Sequence, residues 1–194
     1  MARNRPTQDR DLKRAEIVDA AAELFVRDGY DATSMSALAK RAGVTPNTIY
    51  WYFDDKDAVL VAVVSQITRA AQAEYAERDL PTLADRLLWL VGVFERLDSL
   101  TVTIHARAGV APAVAAWHTR FHEASDAWFT AEMHAHLERG GRTVPSDAEL
   151  ATTARLWTYA IEGLVAHESS AASRRELCEL LVAQLEASAA AIHH

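Results

Sequence analysis

From Thr45 to Lys56 the chain reads TPNTIYWYFDDK, a run that sets three adjacent aromatic rings beside small hydrogen-bonding side chains. An Asn amide can pair with an adenine edge, a phenol hydroxyl can donate to a phosphate oxygen, and an indole can pack on a sugar or a thymine methyl. On a helix Ile49 and Phe53, four apart, share one face, whereas Tyr50, Trp51 and Tyr52 point in turn about 100° from one another. Behind a helix this short the three rings are not all buried, and exposed aromatic surface has a cost unless it contacts something. Phosphates and base edges suit the whole set at once. Packing of the same rings on neighbouring helices is the competing explanation.

A second group of candidates lies further along, in Trp89, Phe94, His105, Trp117, His118, Phe121, Trp128 and Trp157. Trp117 and Phe121 share a helical face, as do His118 and His122. A cavity walled by aromatic rings with a few polar groups takes a flat or apolar small molecule; each ring taken singly fits an ordinary core equally well. His118 and His122 have a spacing at which two imidazoles can meet one metal ion, with His105 or Glu123 as further donors. Without an HExxH sequence or a cysteine cluster, hydrogen-bonded or solvent-facing histidines are expected instead, and no metal or other cofactor is predicted. The chain has no nucleophile elbow, no phosphate-binding glycine loop and no evident triad, so it is not expected to be an enzyme.

The whole chain of 194 residues carries a net charge of −7, at first sight the wrong sign for a partner of nucleic acid. The charge is unevenly spread: residues 1–53 hold eight basic and seven acidic side chains, a net of +1, so the remainder carries −8. A phosphate-binding face needs only a few well-placed cations, so the total does not decide the matter. The longest apolar run, Leu87 to Phe94, is too short to span a bilayer, and the polar start MARNRPTQDRDLKR is no signal peptide. A lone cysteine, Cys178, forms no internal disulfide and reads as a small apolar helix residue in a reducing cytoplasm. No membrane association is expected.

Positioning these groups requires helices. Ile17, Ala21 and Leu24, with Val18, Ala22 and Phe25, make an apolar face over residues 10–28, closed by Gly29. Ser34 reads as the N-cap of a second helix ended by Gly43; Thr45 caps a third, with Pro46 at its first position. Asp54 or Asp55 ends that helix and starts a fourth, reaching about Glu77. Further helices are expected from Pro81–Thr82 through Phe94, over Val102–Ala108, from about Ala113 to Leu137, from Ser146 or Asp147 to about His167, and from Ser173 onward. No stretch alternates as a strand does. The expected fold is all-α: a flexible basic arm over 1–9, a helix-turn-helix domain over 10–57 with its motif at about 34–53, and a larger helical domain over 58–194, about nine helices in all. His193 and His194 look like the remnant of a purification tag and are given no role.

The combination IVDAAAELFVRDGYDATS, LAKRAGVTPNTIYWYFDDK and DAVLVAVV resembles the tetracycline-repressor (TetR) family of bacterial regulators over about residues 12–68. The resemblance implies a cytoplasmic, helix-turn-helix transcription regulator, most often a repressor, that binds double-stranded DNA at a palindromic operator as a homodimer and responds to a small-molecule effector. It places Ser36, Thr45, Pro46, Asn47, Thr48, Tyr50, Trp51 and Tyr52 where family members touch the operator, and Lys56 at a phosphate contact of the fourth helix. The family usually has a serine just before that lysine; here it is Asp55, which can cap the helix but brings negative charge near the DNA. Arg3, Arg5, Arg10, Lys13 and Arg14 are candidates for further contacts with DNA or for a solubilising tail. The resemblance also implies dimerisation through the last two helices, for which Leu156, Ala160, Gly163, Leu164, Leu177, Leu181 and Leu185 are suited in type. The rival reading is a helical small-molecule carrier or enzyme bundle that binds no specific operator.

Overall fold

The structure is a computed structural model that describes the backbone of residues 5–166 and 170–191, and the side chains of 9–97, 100–165 and 170–191. Among the described residues it is all-helical, as expected, with nine helices: α1 (Arg5–Arg27), α2 (Met35–Arg41), α3 (Pro46–Tyr52), α4 (Lys56–Glu77), α5 (Leu83–Glu95), α6 (Asp98–Ala108), α7 (Pro112–Arg139), α8 (Asp147–Ala166) and α9 (Ala171–Ala191). Arg3, the expected end of the eighth helix at His167, and His193 and His194 lie outside the described residues, as does the side chain of Arg5.

The helix starts are written in local chemistry. Ser34 Oγ accepts from Ala37 N at 3.1 Å, and Thr82 Oγ1 accepts from Asp85 N at 3.1 Å. Ser146 and Glu149 form a reciprocal box, with Glu149 Oε2 accepting from Ser146 N at 2.9 Å. The sequence reading misses where α1, α6 and α9 begin. Residues 5–9 continue α1 rather than forming an arm, with Pro6 tolerated in the first turn. The cap of α9 is Ser170, which accepts from Ser173 N at 3.1 Å; Ser173 is already inside the helix.

The chain divides into two compact units, Met1–Glu77 with Ser99–His118, and Arg78–Asp98 with Thr119–His194. The first contains α1 to α4, α6 and the start of α7. Here α1 packs on α2 and α4, and α2 on α3. Ile17, Phe25, Leu38, Ile49, Leu60 and Val63 are among its fully buried side chains. The expected boundary at 57/58 therefore falls at the start of a helix whose apolar row, Val59, Leu60 and Val63, is sealed in the same unit.

In the second unit α5 packs on α8 and α9. Leu83, Leu87 and Val91 of α5 share a core with Phe129, Met133 and Leu137 of α7, Leu150, Trp157 and Ile161 of α8, and Cys178 and Leu185 of α9. The Phe129 and Trp157 rings meet edge-on, centroids 6.0 Å apart. Burial pushes the Cys178 thiol up to about 11, so at neutral pH it is the inert apolar residue expected. Leu87 is fully buried, whereas Val102 is 65 % exposed. Leu87→Ala should lower stability by about 2–5 kcal/mol, and Val102→Ala by less than about 0.5 kcal/mol, in urea denaturation at one fixed protein concentration.

Candidate nucleic-acid interface

α2 and α3 are joined by a turn in which Gly43 takes a φ of +66°, a left-handed backbone that side chains with a Cβ rarely adopt. Val44 N donates to Ala39 O at 3.0 Å across this turn. Thr45 then starts α3: its hydroxyl accepts from Thr48 N at 3.2 Å and lies 2.9 Å from the Thr48 hydroxyl. Pro46 occupies the first turn, where a missing N–H leaves nothing unsatisfied.

The face of α3 divides as the spacing requires. Ile49 and Phe53 are buried. Pro46, Asn47, Tyr50 and Trp51 are exposed, Thr48 and Tyr52 half-buried, and Ser36 of α2 exposed. Tyr50 is 54 % and Trp51 62 % exposed, large values for aromatic side chains of a folded unit. The Trp51 and Tyr52 rings meet edge-on at 4.8 Å. From α1, the Arg10 guanidinium lies 4.5 Å from the Trp51 ring centroid and that of Arg14 lies 4.9 Å from Phe53. The structure thus brings Asn47, Thr48, Tyr50 and Trp51 onto one surface with two arginines beside them.

Lys56 is engaged within its own unit. Its ammonium donates to Tyr30 O at 2.8 Å and to Thr33 O at 3.1 Å, and it lies 4.1 Å from the Tyr30 ring centroid. It therefore ties the α1–α2 turn to α4, where the resemblance assigns it a phosphate. Asp55 does cap α4, accepting from Ala58 N at 2.7 Å.

Next to Lys56 stands a network with no signal in the sequence reading. Asp57 accepts from Tyr30 Oη at 2.6 Å and takes a two-pronged grip from Arg107 of α6, Nε at 2.9 Å and Nη2 at 2.5 Å. The Arg107 hydrogen bonds hold the Asp57 carboxyl below its usual range against partial burial, while burial and the Asp57 contact push the Tyr30 phenol up. Arg107 lies 50 residues from Asp57, so no local spacing could announce the pair.

The other predicted site residues are scattered more widely. Trp89, Phe94, Trp117, His118, Phe121 and Trp128 are half-buried and His105 is exposed. Phe94 meets Phe121 at 5.9 Å and His105 meets His118 at 4.8 Å. Trp157 is only 2 % exposed and belongs to the core of its unit, with Trp128 packed against that core. Of the predicted dimer residues, Leu156 is 59 % and Leu177 37 % exposed, and Ala160 and Gly163 are half-buried. Leu185 is core, and Leu164 and Leu181 pack on it. Tyr159 of α8 and Leu180 of α9 are exposed as well. Leu156 and Trp157 also line a groove of about 540 Å³ between α8 and α9, with Glu149, Thr153 and Gln184.

The Asp57 network carries a pH signature. A depressed native pKa means that the network's stabilisation is fully present above the unfolded value near 3.8 and is lost as pH falls through the native one. Asp57→Asn should cost roughly 1–3 kcal/mol at pH 7, and urea denaturation should show the difference from the parent chain shrinking below about pH 3.8.

Residues 17–63 match the family model described as bacterial regulatory proteins, tetR family. The chain is 32 % identical over 87 residues to the HTH-type transcriptional regulator SrpR of Pseudomonas putida, covering 45 % of this chain and 39 % of that protein. It is 34 % identical over 64 residues to the HTH-type transcriptional regulator UidR of Escherichia coli K12, covering 33 % of each. The chain thus matches well under two thirds of the length of these relatives, and the likeness is strongest around the helix-turn-helix. In fold the likeness extends further. GusR of Salmonella enterica superposes with a TM-score of 0.69 at 23 % identity, covering 89 % of this chain and 93 % of that one. A TetR-family transcriptional regulator of Agrobacterium tumefaciens gives 0.65 at 18 % identity, covering 90 % and 97 %. Over residues 17–63 the chain is thus similar to the TetR family of bacterial regulatory proteins, and its fold is like that of the solved regulators.

Proposed function

We propose that the chain is a cytoplasmic, sequence-specific transcriptional repressor that grips a near-palindromic operator as a homodimer and releases it when a small apolar or aromatic effector binds. The observation that carries this reading is the outer face of α3, where Tyr50 and Trp51 stay more than half exposed while Ile49 and Phe53 are sealed beneath them. Nothing within the unit gains from that exposure; a DNA groove does. With α3 in the major groove, Asn47 and Thr48 at its N-terminal end address base edges, and the aromatic hydroxyls and rings meet phosphate and sugar. Arg10 and Arg14 add charge for phosphates.

A helix of seven residues reads few base pairs, so useful selectivity calls for two copies with half-sites about 34–36 Å apart. Leu156, Tyr159, Leu177 and Leu180 offer exposed apolar surface on α8 and α9 for the second copy. Release follows from α6. Its Arg107 grips Asp57 in the first turn of α4, so an effector that favours a different position of α6 disturbs the unit that carries α3. Operator affinity then falls by the effector's differential affinity for the two states. Among the described residues no helix is long and apolar enough to cross a membrane.

Selection of genomic fragments on the purified protein at near-physiological salt should enrich one or a few short palindromes. Uniform retention, or none, would remove the operator-reading proposal and favour a carrier. On the enriched site, Asn47→Ala and Trp51→Ala should each weaken binding by about 1–3 kcal/mol, with unchanged melting because both side chains are exposed. Leu156→Arg should give a monomer in sedimentation velocity and lose the palindrome; a dimer that still binds would place the interface elsewhere.

A further inference from the structure

Arg10 is exposed on α1, and its guanidinium carbon lies 4.5 Å from the centroid of the Trp51 ring. That is within the distance of about 6 Å at which the negative face of an indole holds a cation. The Tyr52 ring meets Trp51 as well, edge-on, with centroids 4.8 Å apart and planes at 87°. Both partners belong to the same compact unit as Trp51, which nevertheless stays 62 % exposed. Given that α3 reads DNA as proposed above, we infer that Arg10 is a specificity-determining residue that acts through Trp51. By stacking on the indole it sets the plane in which that ring meets one base step of each operator half-site.

The neighbouring cations of α1 are held differently. Lys13 is paired with Glu16 and Arg27 with Asp28. Among the described residues Arg10 has no ion pair, although Asp9 and Asp11 flank it in the chain. Arg14, one turn further along, lies 4.9 Å from the ring of Phe53, which is only 4 % exposed. A ring sealed in the core meets no base, so the Arg14 stack carries no sequence information. The ring under Arg10 is the one that a DNA groove reaches.

Holding the indole matters because an exposed side chain loses rotamer freedom when it docks. A ring already held in one rotamer avoids that cost and presents a single orientation. Orientation is what converts contact into base preference. In the major groove only thymine offers a C5-methyl, an apolar partner for the ring. A ring that turns freely packs on sugar or methyl alike. The guanidinium keeps its charge while stacked, so its N–H groups remain available to a phosphate beside that base step.

The test selects duplexes from a synthetic library of randomised sequence with the full-length chain and its Arg10→Lys, Arg10→Ala and Trp51→Ala variants. Binding to poly(dI-dC) is measured alongside over a range of salt concentrations. The parent chain should enrich a short palindrome. Arg10→Lys keeps the charge but not the flat guanidinium. It should therefore retain the salt dependence on poly(dI-dC) and lose base preference at one position of each half-site. Trp51→Ala should lose preference at that same position. Arg10→Ala should lose it too, and lower the salt slope by about one per chain. Arg10 and Trp51 are both exposed, so all the variants should melt with the parent chain. Arg10→Lys enriching the parent's palindrome in full overturns the inference and leaves Arg10 as charge alone. Loss at different positions in the Arg10 and Trp51 variants overturns it as well. A parent chain that enriches no sequence overturns the operator-reading proposal together with this one, and is distinguished because the failure then precedes any substitution.

Discussion

Seven residues make two turns of helix, and two turns do not hold themselves together in water. α3 persists because its start is capped by Thr45, its first φ is pre-set by Pro46, and Ile49 and Phe53 are driven into the core of the first unit. That anchoring dictates everything the helix shows to solvent. Two inward positions four apart use up the only face that can be buried, so Asn47, Tyr50 and Trp51 face outward by helical geometry alone. Rotating the helix to bury Trp51 would lift Ile49 out of the core, exchanging a fully buried aliphatic side chain for water at a cost of about 1.5–3 kcal/mol.

The orientation of this helical pair depends in turn on two neighbouring charges at the start of α4 that act in opposite senses. Lys56 holds the main chain of the α1–α2 turn through the carbonyls of Tyr30 and Thr33. Asp57 holds the same turn through the Tyr30 hydroxyl, and pays for its own partial burial with the Arg107 pair. The turn is therefore gripped by backbone and side chain at once. Removing Arg107 would leave a partly buried carboxylate with one neutral donor, the Tyr30 hydroxyl.

What was legible in the sequence was local. Caps at Ser34, Thr45, Thr82 and Ser146 and the division of α3 into two faces depend on residues within four positions, and all four caps stand where the chain chemistry puts them. The start of α1 was missed because Arg5–Asp9 carries no apolar periodicity, and that of α6 although Leu100 and Ile104, four apart, are both buried. What depended on distant partners was not legible. Lys56 turns to carbonyls 26 and 23 residues away. Among the apolar rows of α8 and α9, periodicity shows that rows exist but not which one meets the core: Leu185 does, Leu156 does not. For the same reason the periodicity does not show that Trp157 belongs to the core of its unit.

The charge balance resolves on the same principle. Part of the acidic charge on and just after α1 is met by nearby cations: Glu16 by Lys13, Glu23 by Arg41 of α2 and Asp28 by Arg27. Such exposed pairs contribute little to stability, but they reduce the negative field at the surface from which α3 projects. Arg10 and Arg14 are placed differently, over the rings of Trp51 and Phe53. A cation held against a ring is positioned without being neutralised, so its charge stays available to a phosphate. The placing of these cations beside α3 is thus set by stacking geometry within one unit, while the acidic excess accumulates in the rest of the sequence. A net charge of −7 is compatible with DNA recognition because the few charges that matter are positioned individually rather than summed.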